Sequence, residues 1–300
     1  VNAQPSDSLI LKAMQDELNR NMNELGYEGF EKPFYISYQI EDIYDYQIGA
    51  SMGALLRSGE KRTRGKNVRV LVGDYEFNDE SLDDSNFSGA EANEIELPLD
   101  DDYFGIRRSL WVTTDNIYKG AARQYKKNLE TLKEKDKTIA EMPHRTFAKQ
   151  PGHIINEKYQ PYKMNVPAME AIMRELSAVA NEFPAIDNSS AFLTFYDGHN
   201  YFVNSEGTVS VTPLRQTSLH FFAQRKTEAG EMIHDQLVEQ ALSPSDLQDP
   251  MMLKEKMRTL CRSVCADPLK ALDDEYAGPV MVTGQPVAEL LGRIFFASRD

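Results

Sequence analysis

The residues of this chain that could do chemistry are few and scattered. Its five histidines are His144, His153, His199, His220 and His234, and no two stand within eight residues of one another. A zinc-hydrolase helix needs two imidazoles about one turn apart with a glutamate between them, so that both nitrogens reach one ion. No stretch of the chain offers that spacing. The two cysteines, Cys261 and Cys265, share one face of an expected helix, and without two further ligands nearby they read as packing thiols. There is no Gly-x-Ser-x-Gly elbow, no Walker loop and no Gly-x-Gly-x-x-Gly turn. Acids crowd residues 78–86 and 100–102, but without the Asp-x-Asp-x-Asp-Gly order of a calcium loop, so they read as solvated charge. The expectation is therefore no catalytic residue, no cofactor and no metal site. His220, inside Leu219-His220-Phe221-Phe222, reads as an ordinary strand histidine. The basic run Arg57, Lys61, Arg62, Arg64 and Lys66 reads as a surface hairpin that could face an acidic partner.

Charge narrows the partners. Forty-seven acids against 33 bases give a formal charge of −14, which repels phosphate backbones and anionic lipid. Binding to nucleic acid is not expected, and no apolar run approaches the roughly 20 residues of a membrane span. Val1 to Ser8 is small and polar and runs straight into an amphipathic helix, as in a mature chain whose signal peptide has been removed. A periplasmic or other extracytoplasmic location is the expectation, with the cytoplasm as the alternative.

The elements that must position any site follow from hydrophobic period. Leu11, Met14, Leu18, Met22 and Leu25 recur at three and four and predict a helix over 7–25, capped by Asp7 or Ser8. Val68, Val70 and Val72 alternate and predict a strand over 67–77. A helix of about 50 Å is expected from Tyr103 to Lys137, with Trp111, Ala121, Tyr125 and Leu129 on its core face. Residues 138–164 read as a wandering loop, and Asn165 caps a second helix. Strands are expected over 191–196, 200–204, 209–214 and 218–226, with turns at Asp197-Gly198-His199 and Ser205-Glu206-Gly207. Helices are expected over 231–242 and 250–272. The fold class is α+β, with a helix-plus-antiparallel-sheet unit over 1–102, a long helix and second such unit over 103–273, and the start of a further mostly-β region over 274–300.

Several segments together resemble the TldD/PmbA family, whose members are described as modulators of DNA gyrase and as peptidase-related. They are Gly65-Lys66-Asn67-Val68-Arg69-Val70-Leu71, Asn204-Ser205-Glu206-Gly207 and Tyr276-Ala277-Gly278-Pro279-Val280, in that order over about 220 residues. The resemblance implies that a zinc-binding His-Glu-x-x-x-His, where present, lies on the helix after the Gly-Pro-Val segment. By register that place holds Gly292-Arg293-Ile294-Phe295-Phe296-Ala297. Gly292 and Ala297 cannot ligate a metal and Arg293 opposes one by charge. The chain thus resembles the metal-less, PmbA/TldE-like branch, in an exported Bacteroidetes-type form.

That branch implies a non-catalytic component that handles peptide or unfolded polypeptide and pairs with a metal-bearing TldD-like homologue, or with itself. Asn204, Ser205 and Gly207 read first as a hairpin turn, with Asn204 as a candidate grip on extended peptide. The family continues well past residue 300, and a helix carrying Leu290, Leu291, Ile294 and Phe295 at the chain's end predicts a truncated protein. Two alternatives come from other classes. One is an active metallopeptidase whose site lies beyond residue 300, and the other is a plain binding module.

Overall fold

Four long strands carry the architecture, with apolar residues alternating along them wherever a helix covers the sheet. The computed structural model describes residues 8–82, 96–141, 147–266 and 278–295. Strands β1 (Pro33–Ser51), β2 (Ala54–Val72), β4 (Asn188–Asn204) and β5 (Val209–Lys226) pair antiparallel in the order β2-β1-β4-β5. On the far side of β5, the short β3 (Ile154–Asn156) runs parallel to its start, and β6 (Met232–Ala241) pairs antiparallel with its end. The fold is α+β. It forms two compact units, residues 1–265 and 266–300. The expected division at 102/103 falls inside the first unit, where both helix-and-strand segments contribute to one sheet. The expected boundary at 273/274 lies outside the described residues.

One face of the sheet is apolar twice over. At one end Ile36, Tyr38 and Ile40 of β1, Val68 and Val70 of β2, and Tyr201 and Val203 of β4 pack against α1 (Leu9–Glu24) and α2 (Tyr103–Glu134). At the other end Ile48 and Ala50 of β1, Ala191 and Leu193 of β4, and Leu219 and Phe221 of β5 pack against α3 (Val166–Ser177) and α4 (Pro250–Cys265). Parity along β1 and β4 is the same at both ends, so the two helix pairs lie on one face. Ser8 accepts a hydrogen bond from the Leu11 amide and caps α1, and Asn165 accepts one from Ala168 and caps α3.

Several expected elements change form. Asp197-Gly198-His199 is not a turn but the middle of β4. Its glycine is there because a Cβ would stand 2.1 Å from the Asp42 carbonyl oxygen in β1. Residues 231–242 are not a helix: Ile233 and Leu237, four apart, are equally two strand periods apart, and pairing with β5 sends both towards the core. The helix expected to reach 272 is described only to Cys265. The strand expected over 67–77 starts earlier, at Ala54, and stops at Val72. The basic run is no hairpin turn, because the turn falls at Met52-Gly53, both at positive φ, as a two-residue hairpin requires. Trp111 is 43 % exposed rather than in the core. Residues 278–284 take no strand and lead into α5 (Gln285–Phe295).

The acidic segment before α2 is not simply solvated. Arg64, its side chain fully buried on β2, donates to Asp42 Oδ2 at 2.7 Å and to Asp101 Oδ1 at 2.6 Å, and also to the carbonyls of Pro98 and Asp100. Arg62 forms a two-pronged pair with the same Asp42. Burial pushes the Asp42 carboxyl up, but the hydrogen bonds from Arg62 and Arg64 outweigh that and leave it below its ordinary value. Arg62 and Arg64 of the basic run therefore find acidic partners within their own chain, whereas Arg57 lies over the Phe192 ring and Lys66 donates to Ser109.

Candidate functional site: a groove along the edge of β2

The turn singled out in the sequence is built as a hairpin connection. Asn204 Oδ1 accepts from the amides of Glu206 at 3.1 Å and Thr208 at 2.8 Å, and Gly207 stands at φ +94. Ser205 Oγ accepts from the Ile36 amide, tying the turn to β1. Asn204 reaches the Tyr35 hydroxyl at 3.5 Å, and Tyr75 donates to Glu206. Around Tyr35 the rings of Phe34, Tyr75 and Phe147 gather, and the Arg69 guanidinium lies 5.2 Å from the centre of Phe147.

Tyr35 also belongs to a groove of about 670 Å³. Four consecutive residues of β2, Asn67 to Val70, line it, together with Ser37 and Gln39 of β1, Phe202 of β4, Ile117 and Gln124 of α2, and Asp79 and Glu80 of the segment after β2. Successive residues of a strand point to opposite faces, so a groove that touches four in a row follows the strand's edge. Among the described residues β2 ends the sheet on that side: Val72 is paired there with Asp79, and no described strand lies beside Asn67 to Val70.

The segment after β2 is folded back tightly. Gly73 bridges Asn78, Asp79 N donates to the Val72 carbonyl, and Asp79 Oδ1 accepts from the Val72 amide at 2.7 Å. Asn128 of α2 donates to the Asp79 carbonyl at 2.9 Å, and Phe77 is buried against Tyr125. Asp79 is thereby only 5 % exposed. Burial pushes its carboxyl up to about 7, backbone N–H donors offset part of this, Glu80 adds to it and Arg69 opposes it. Glu80 itself is held by a two-pronged pair with Arg69.

Of the groove, the sequence points only to the neighbouring turn. Asn67, Val68, Arg69 and Val70 stand out there as a motif and not as a site. The signal for the groove lining is the polar residues at alternate strand positions, Ser37 with Gln39 and Asn67 with Arg69. Asp79 falls among the acids expected to be solvated, and its own burial, with that of Phe77 and Asn78 beside it, corrects that expectation.

The remaining candidates are not brought together. His199 is half-buried between Tyr159 and Tyr201, with its pKa lowered by burial. His220 shares a hydrogen bond with Ser218, His234 lies beside Phe222, and His153 is exposed. His144 is outside the described residues. Cys261 is buried in α4, which pushes its thiol up to about 11, and Cys265 is half-buried. Among the described residues no group of three or more His, Cys, Asp or Glu side chains could hold a metal ion. Gly292 and Arg293 lie in α5, and Ala297 is outside the described residues. No described helix is long and apolar enough to cross a membrane.

Neither a protein-family model nor a curated protein matches the sequence. Solved structures do. A protein named as a modulator of a DNA gyrase from Thermotoga maritima matches at 8 % identity and a TM-score of 0.46, over 85 % of this chain and 50 % of its own. One of the same description from Bacteroides thetaiotaomicron matches at 8 % and 0.47, over 86 % and 51 %. TldE from Thermococcus kodakarensis matches at 10 % and 0.41, over 84 % and 47 %. The chain spans about half the length of each. These names belong to the family that the sequence motifs resemble, but likenesses so distant assign no activity, substrate or partner.

Proposed function

We propose that this chain is a non-catalytic, peptide-handling component of a TldD/PmbA-like peptidase system, acting outside the cytoplasm beside a metal-bearing homologue. The observation that carries the reading is the groove along the edge of β2, the strand that ends the sheet among the described residues. An extended peptide laid there gains main-chain hydrogen bonds from the strand, as in other strand-addition complexes. Ser37, Gln39, Asn67 and Arg69 offer side-chain donors and acceptors, and Tyr35 and Phe202 offer aromatic surface. The turn residues Asn204, Ser205 and Gly207 support this end of the groove through Tyr35 and Ile36 rather than gripping peptide themselves.

The metal that the family resemblance implies does not suit the residues in its place. Gly292 has no side chain and Arg293 brings a positive charge, so hydrolysis is assigned to the homologue.

The test uses the whole protein. Labelled extended peptides are titrated by fluorescence anisotropy, alone and with alternate backbone amides N-methylated. Binding that methylation abolishes supports strand addition; binding that methylation leaves intact overturns it. Peptidase activity and zinc content are then measured with and without the homologue. Stoichiometric zinc with activity in this protein alone overturns the non-catalytic role.

A further inference from the structure

Asp79 commits one of its two carboxylate oxygens to another residue. Oδ1 accepts from the Val72 amide, whereas Oδ2 takes no hydrogen bond from another described residue, and the side chain lines the groove. The other two charged groups of the lining, Arg69 and Glu80, already hold each other. The groove therefore contains one carboxylate without a counter-charge of its own, fixed by its turn and by Asn128. A carboxylate in that position, itself only 5 % exposed, favours a cation over a neutral group.

We propose that Asp79 receives an ammonium or guanidinium group, so that the groove selects peptide segments carrying lysine or arginine; this rests on the peptide-binding reading above. The charged groups facing Asp79 are Arg69 from β2 and Glu80 from its own segment, while α2 presents the neutral Gln124 and Asn128 and β1 the neutral Ser37 and Gln39. With its carboxyl pushed up to about 7, Asp79 is partly protonated near neutrality, and a bound cation expels that proton. Selection should therefore strengthen as pH rises.

Two labelled peptides, identical except for lysine or norleucine at one position, separate the possibilities. The position is varied along the peptide, and binding is measured between pH 5.5 and 8.5. The expected result at pH 8.5 is about tenfold tighter binding of the lysine peptide at one position, falling towards equality at pH 5.5. Asp79→Asn, which keeps the shape and the Oδ1 acceptor, should remove the preference, so that the lysine and norleucine peptides bind that variant equally. Equal affinity for the two peptides at pH 8.5 in the unsubstituted protein, at every position, overturns the inference and leaves peptide handling standing. A preference that survives Asp79→Asn overturns it as well. No binding of either peptide overturns the peptide reading itself.

Discussion

Gly198 and Asp42 meet backbone to backbone across the β1–β4 pair, so closely that a Cβ on Gly198 would stand 2.1 Å from the Asp42 carbonyl oxygen and 2.7 Å from the Ile43 Cα. Neither contact is with the end of a flexible side chain, so the strands themselves would have to part. Gly198→Ala should destabilise the protein by about 2–3 kcal/mol. Thermal unfolding followed by circular dichroism would show the fall in Tm. An unchanged Tm would mean that the strands can separate at no cost.

Arg64 is the link between the sheet and the segment that leads into α2. Replacing it with methionine leaves Asp42 without one of its two partners and leaves the Pro98 and Asp100 carbonyls short of a donor. The expected loss is about 3 kcal/mol. Arg62→Met, at a position a third exposed, should cost under about 1 kcal/mol. Urea unfolding of both variants tests the contrast, and equal losses would contradict the difference in burial.

Protonation of Asp79 gives a signed prediction. Its folded value of about 7 lies above the ordinary 3.8, so the folded chain holds an extra proton between those limits. The stability contributed by this group is present at low pH and lost as pH rises from about 4 through 7. Asp79→Asn should remove that loss, gaining on the unsubstituted protein by roughly 2–4 kcal/mol across the window. Denaturant unfolding at pH 4.5 and 7.5 measures the difference. A constant gap between the two proteins would rule it out.

The turn after β4 should respond to substitution through conformation more than through contact. Gly207 stands at φ +94, and a Cβ added there would meet no atom nearer than 3.9 Å, so Gly207→Ala should cost about 1 kcal/mol from the backbone alone. Asn204→Ala loses two amide acceptor contacts and should cost a similar amount, about 1 kcal/mol. Both losses are read from urea unfolding. In both variants peptide affinity should change little, as a supporting turn requires, and a large fall in affinity would make the turn part of the binding surface.

The helices are legible in the sequence, and the long strands are partly hidden. Ser8 with Leu11, Met14 and Leu18 places α1 to within two residues, and Asn165 places the start of α3. The break expected in β4 comes from local chemistry: Asp-Gly-His looks like a turn wherever its long-range partner is unseen. That partner is the Asp42 region of β1, far away in the chain. The helix expected at 231–242 arises because a spacing of four satisfies both periods, and only the presence of an open β5 edge decides between them. The groove is not legible because it depends on β2 lying at the end of the sheet, a property of topology that no single segment expresses. The motifs that carry the resemblance lie in the second half of β2, at the turn between β4 and β5 and, from Gly278 to Val280, in a segment without strand.

Strands β1, β4 and β5 pass beneath both helix pairs, and their apolar positions keep one parity from end to end. A one-residue slip of any of the three would turn its core-facing side chains outward in two places at once. The penalty for mispairing is thus doubled, and the two cores act as independent proofreaders of the same alignment. An error tolerated at one end is rejected at the other, which lets strands of 17 to 19 residues find a single register.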